Sequence, residues 1–207
     1  MAKLILGTRS SKLALWQSNY VKELIENRFP EIIVEVREVR TQGDILSETP
    51  LIQIGGKGLF TKEIELELIA GSIDIAVHSL KDLPVELPQG LILAGVPERH
   101  NAEDVFIAKN GKIKFSDLSP GATVATGSLR RKSQLLAYRN DFNIVGLRGN
   151  VNTRINKLFQ SEWDGIILAR AGVERLGLES YMTEILPFEI MLPAVGQGAL
   201  GLEAVHT

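Results

Sequence analysis

Apolar residues recur along this chain in two rhythms, and the rhythms alternate. Leu4 to Leu6 is a short apolar run that predicts a strand. It is followed by Leu13, Trp16, Tyr20, Leu24 and Ile25 at helical spacing, with Ser10 or Ser11 placed to cap the helix. Ile32 to Val39 predicts a second strand, Thr61 to Ala70 a helix, and Ile73 to Val77 a third strand. The stripe of Leu13, Trp16 and Tyr20 reads most simply as core. Around Val96 to Asn101 the pattern breaks into polar residues, a plausible crossing between domains. A second round then begins: Thr123 to Thr126 before a helix over Leu129 to Tyr138, Phe142 to Leu147 before a helix at Asn150, and Gly165 to Ala169 before a shorter one. The apolar, glycine-studded stretch from Ala194 to Leu202 is placed to return to the first half. Alternation of this kind predicts α/β units with parallel strands, arranged as two similar lobes with a ligand cleft between them. The boundaries fall at residues 1–97 plus 198–207 for one lobe and 98–197 for the other.

Composition narrows the chemistry. The chain has 207 residues, 44% hydrophobic and 23% charged, with a net charge of -2, which are ordinary values for a globular protein. Neither nucleic acid nor an anionic membrane is an expected partner for a slightly acidic chain without a recognition motif. There is no cysteine, which excludes disulfides, thiolate metal sites and thiol catalysis within these residues. The amino end has too short an apolar run for a secretory signal, and no run is long enough to cross a membrane. A cytoplasmic location and a monomeric state are the expectations. His78, His100 and His206 lack metal-ligand spacing, so no metal is expected.

Against that acidic background, basic residues and hydroxyls gather where strands end. Thr8-Arg9-Ser10-Ser11 follows the first strand, His78-Ser79-Leu80-Lys81-Asp82 the third, Thr126 and Ser128-Leu129-Arg130-Arg131-Lys132 another, and Arg148-Gly149-Asn150 a fourth. Ligands of open α/β sheets bind outside the carboxyl ends of strands, beside helix amino ends with unpaired N–H groups. Hydroxyls and arginines there make sockets for carboxylate or phosphate. One arginine alone would be a solvated helix face; four such clusters predict a ligand with several acidic groups. Asp82 is the acid within this basic set. It serves either as a helix cap or salt-bridge partner, or as an anionic carboxylate that holds N–H donors and stabilises a cation. Gly55-Gly-Lys-Gly58 lacks the Ser or Thr of a phosphate loop and reads either as a hinged cover or as an ordinary loop.

GTRSSKLALWQ (7–17), TQGD (41–44), GGKGLFTKE (55–63), DIAVHSLKDLP (74–84), TGSLRRKSQL (126–135), LRGNVNTR (147–154), AGVERLG (171–177) and LPAVGQGAL (192–200) together resemble the porphobilinogen deaminase, or hydroxymethylbilane synthase, family along essentially the whole chain. The resemblance implies two lobes like those of type II periplasmic binding proteins. It also implies an enzyme of tetrapyrrole and heme biosynthesis that joins four porphobilinogen molecules with loss of ammonia, on a dipyrromethane cofactor carried by a cysteine. By the same resemblance Lys81, Thr126, Ser128, Arg130 and Arg131 would hold the cofactor's carboxylates. Arg9, Ser11, Gln17, Arg148, Arg154 and Arg175 would hold those of the substrate and growing chain. Asp82 would be catalytic, bonding pyrrole N–H groups and stabilising the azafulvene left when ammonia departs, and Lys57 and Phe60 would belong to a mobile cover. Family members carry a third α+β domain with the anchoring cysteine. Its absence here predicts either a piece of a longer enzyme, inactive as it stands, or a two-domain relative that grips a diacid without catalysis.

Overall fold

The computed structural model describes residues 2–42 and 61–206. Lys57 and Phe60, the expected cover residues, lie outside the described residues. The chain divides into two compact units, Met1–Arg99 with Ala199–Thr207, and His100–Gly198.

The first unit contains β1 (Ala2–Thr8), α1 (Lys12–Arg28), β2 (Ile32–Glu38), α2 (Lys62–Ile69), β3 (Ile75–Ser79), β4 (Leu91–Gly95) and the late strand β10 (Leu200–Val205). Its sheet runs in the order β2-β1-β3-β10-β4, with β1 parallel to β2 and β3 and β10 antiparallel to β3 and β4. Alternate residues of each strand face opposite sides. Leu6, Val34, Val77 and Leu200 therefore pack with Val21 of α1 on one face, while Ala76 packs with Ile64 and Leu68 of α2 on the other.

The second unit contains β5 (Asp104–Ala108), β6 (Thr123–Ala125), α3 (Leu129–Tyr138), β7 (Asn143–Val145), α4 (Val151–Gln160), β8 (Gly165–Ala169), the short α5 (Arg170–Glu174) and β9 (Glu184–Leu186). Its sheet order is β7-β6-β8-β5-β9. Here β6 is parallel to β7 and β8, and β5 is antiparallel to β8 and β9. Phe106, Val124 and Ile167 face Leu135 of α3; Val105, Ile107, Ala125, Ile166 and Leu168 face Ile155 and Leu158 of α4. Both faces are covered, which is why β5 is buried along its whole length and, after Asp104, reads as an apolar run.

The alternating pattern therefore marks the parallel strands, but each sheet is mixed. One antiparallel strand, β10 or β5, enters each without a preceding crossover helix. The third strand runs two residues later than its apolar run suggests, so His78 and Ser79 belong to it. The α1 stripe is also displaced. Ala14, Gln17, Ser18 and Val21 are buried, whereas Trp16 is 39% exposed and stacks on Tyr20 at 5.5 Å. Small side chains at 14 and 18 let the helix lie close to the sheet, and the two rings shield each other at its flank. No helix among the described residues is long and apolar enough to cross a membrane.

Gly165 starts β8 where a side chain has no room. An added Cβ would stand 2.1 Å from Phe106 Cε2 and 2.9 Å from the Ile107 carbonyl oxygen. Gly165→Ala is expected to cost about 1–3 kcal/mol of stability through overpacking, read as a lowered urea midpoint. An unchanged midpoint would show that the ring moves aside freely.

Candidate functional site

In the first unit, the carboxyl ends of the paired parallel strands β1 and β3 bring two of the sequence clusters together. Ser11 caps α1, its Oγ accepting the Ala14 N–H at 3.2 Å. Thr8 is buried and donates through Oγ1 to the Ala14 carbonyl at 3.2 Å, so the loop holding Arg9 is anchored at both ends. Gln17 reaches from α1 to β3, with its Nε2 3.0 Å from Ser79 Oγ. Past Ser79 the chain makes one 3-10 turn, Leu80–Asp82, fixed where the Leu80 N–H donates to the Ala199 carbonyl at 3.0 Å. This leaves Lys81 and Asp82 exposed. Arg9, Ser11, Gln17, His78, Ser79 and Asp82 line one cavity. A carboxylate, a guanidinium, hydroxyls and an amide around one space can bind a ligand that carries both N–H donors and acid groups.

The second unit repeats the arrangement on β6 and β7. Thr126 is buried, and its Oγ1 accepts the Ser128 N–H at 3.2 Å; Ser128 in turn caps α3 by accepting the Arg131 N–H at 3.4 Å. Asn150 caps α4, its Oδ1 accepting the Thr153 N–H at 2.9 Å. The two loops touch at Gly127, where a Cβ would lie 2.4 Å from the Leu147 carbonyl oxygen. Glycine there is a condition of their close approach. Arg154 donates from Nε to the Gly149 carbonyl at 2.7 Å, and Arg148 keeps a buried Nη1 without a hydrogen-bond partner among the described residues. Arg175 ends α5, buried, with Nη2 donating to the Gly198 carbonyl at 2.8 Å.

The Arg130-Arg131-Lys132 run is resolved by a residue that sequence reasoning did not single out. Asp104 is fully buried at the start of β5. Its Oδ1 accepts from Arg131 Nη2 at 2.7 Å, Arg131 Nε at 3.2 Å and Gln197 Nε2 at 2.9 Å, and its Oδ2 accepts from Arg130 Nη2 at 2.7 Å. Arg131 is itself buried and adds a bond to the Ile167 carbonyl at 3.1 Å, while Arg130 also donates to the Leu192 carbonyl. Lys132 alone of the three is exposed. Burial by itself would raise the Asp104 carboxyl; Arg131 and then Arg130 outweigh it and hold the group below its ordinary range. Nothing in the run Glu103-Asp104-Val105 marks which acid would meet the arginines, because the pairing crosses 26 and 27 positions.

Two α/β units, each with capped helices, hydroxyls and cations at the carboxyl ends of its parallel strands, define a fold of the type II periplasmic-binding kind. The methionine binding protein MetQ is similar in fold at a TM-score of 0.58 and 12% identity, over 99% of this chain and 83% of that one. The family model described as "Porphobilinogen deaminase, dipyromethane cofactor binding domain" matches residues 4–207. Porphobilinogen deaminase of Chlorobium phaeobacteroides is 53% identical over 201 residues, and that of Nitratidesulfovibrio vulgaris 53% over 203. They cover 97% and 98% of this chain, which spans 64% of the length of each. The chain belongs to the porphobilinogen deaminase family.

Asp104→Asn leaves the buried Arg131 and the half-buried Arg130 short of a counter-charge and is expected to cost about 3–5 kcal/mol, measured by urea unfolding. Because the folded carboxyl titrates below its ordinary value near 3.8, its stabilisation is complete above that pH and lost as pH falls through the lower folded value. The gap between parent and variant should therefore close in acid. A gap that stayed constant would place the cost in packing instead of charge.

Proposed function

We propose that this chain provides the substrate-handling and cofactor-holding units of a porphobilinogen deaminase, or hydroxymethylbilane synthase, in tetrapyrrole biosynthesis leading to heme. The reaction joins four porphobilinogen molecules and releases ammonia at each joining. The observation that carries this reading is the position of Asp82, a carboxylate on a pinned turn beside Arg9, Ser11 and Gln17 at one cavity of a family member. There Asp82 accepts pyrrole N–H bonds and stabilises the positive charge that develops as the amine leaves. Arg9, Ser11 and Gln17 receive carboxylate arms in the first unit, and Arg148, Arg154 and Arg175 receive them in the second.

The residues suit an acid-bearing dipyrromethane. The buried, unpartnered Nη1 of Arg148 lies in the loop adjoining Gly127, next to the α3 amino end with Thr126 and Ser128. Thr126, Ser128 and Arg130 would hold the cofactor's acid groups in the second unit; in the first unit Lys81 is a further candidate for an acid group. Arg131, with Nε, Nη1 and Nη2 all engaged, supports that end of α3 from beneath and adds positive charge. When bound, the dipyrromethane supplies the pyrrole terminus to which units are added. These 207 residues contain no cysteine and so supply no thiol for its attachment. A cytoplasmic, monomeric protein fits this reading.

The test compares the parent with Asp82→Asn, following intact mass and released ammonia on addition of porphobilinogen, with affinity measured by calorimetry. In a form carrying the cofactor, the parent should gain pyrrole mass and release ammonia. Asp82→Asn should lose turnover by about a hundredfold or more, the scale of a lost electrostatic contact to developing charge, while binding porphobilinogen within a few fold of the parent. A variant altered in affinity alone would favour a diacid-binding module over an enzyme.

A further inference from the structure

The function proposed above makes no use of a buried histidine–glutamate pair in the first unit. His78 on β3 and Glu203 on β10 are diagonal neighbours on one face of the sheet, since Gly201 stands opposite His78 and Glu203 opposite Ala76. Nε2 of His78 lies 3.1 Å from Oε2 of Glu203, and the side chains are 4% and 0% exposed. Glu203 Oε1 is buried with no hydrogen-bond partner among the described residues. His78 also lines the cavity shared by Arg9, Ser11, Gln17, Ser79 and Asp82, and its hydrogen bond among the described residues runs through Nε2.

Counting protons constrains the ring. A neutral imidazole donating through Nε2 to an ionised Glu203 would bury a net negative charge with one carboxylate oxygen unpaired, a heavily penalised arrangement. Two arrangements carry no net charge: an imidazolium beside a carboxylate, or an imidazole accepting at Nε2 from a carboxylic acid. In both, Nδ1 carries a hydrogen.

We propose that His78 is a further ligand-binding residue of this site, its Nδ1–H donating to a carboxylate arm of a bound pyrrole acid. Glu203 touches no ligand; it is a positioning residue that keeps the hydrogen on Nδ1. The proposal rests on the reading that this cavity receives such an acid.

With only three histidines in the sequence, nitrogen NMR of the rings, assigned by replacing His100 and His206, tests the proton directly. A hydrogen on His78 Nδ1 at neutral pH is expected; a bare Nδ1 overturns the proposal. Calorimetry with porphobilinogen then compares His78→Asn, whose amide nitrogen can stand in for Nδ1–H, with His78→Leu. Both are made with Glu203→Gln so that no lone carboxylate stays buried. His78→Leu should bind about tenfold to a hundredfold more weakly, the worth of one hydrogen bond to a charged group, and His78→Asn within a few fold of the parent. Equal affinities in the two variants reduce the pair to a structural role and overturn the proposal. If neither variant folds, the ring NMR of the unaltered protein decides. A parent that fails to bind porphobilinogen sinks the underlying reading, and this proposal with it. A bare Nδ1 in a parent that does bind sinks this proposal alone.

Discussion

The second unit is organised around one buried carboxylate. Asp104 begins the strand at the centre of the apolar core and receives donors from Arg130, Arg131 and Gln197. Those three come from the first turn of α3 and from the end of the unit, so a single charge joins the strand, the helix and the returning chain. Adjacent arginines repel one another in isolation. Here the shared acid turns the repulsion into a fixed arrangement that holds the α3 amino end against β5 and β8. The same contact explains how an acidic chain keeps a basic run: one carboxylate offsets part of the charge of Arg130 and Arg131 inside the unit, and Lys132 is left to water.

The two sheets share their wiring. In each, the first parallel strand is central to the motif, its capped helix crosses to the outer neighbour, and the third parallel strand pairs on the other side beside an antiparallel strand. Equivalent strand ends therefore carry equivalent chemistry, with Ser11 and Ser128 capping the first helix of each unit. The units differ just past the third parallel strand. In the first unit that place holds a single turn that leaves Asp82 exposed; in the second it holds α5, whose Arg170 bonds Glu174 at 2.7 Å and Glu103 at 3.2 Å.

Most of the parallel strands and their helices were legible because they combine a short apolar run with a capping hydroxyl, both local signals. Strands β4, β5 and β9 were not. Strand β5 is an apolar run with no helix stripe before it, and β4 and β9 are short edge strands bounded by loops. The buried face of α1 departs from its apolar stripe for a related reason: residue size suggests Trp16 as core, yet the sheet accepts Ala14, Ser18 and the amide of Gln17 because that amide has Ser79 to bond. Of the candidate site, Arg9, Ser11, Gln17 and Asp82 converge on one cavity, while Thr126, Ser128 and Arg148 occupy neighbouring loops and Arg130 the first turn of α3. The two acids that set charge within the units, Asp104 and Glu203, carry no motif of their own.

The sequence by itself determined the class of fold, the family and the strand ends where hydroxyls and cations gather, since each depends on residues close together in the chain or on motifs in a set order. Tertiary structure alone decided which charges are paired inside each unit. That choice turns on partners 26 to 125 positions apart, brought together by strand pairing and judged by the cost of burying an unbalanced charge.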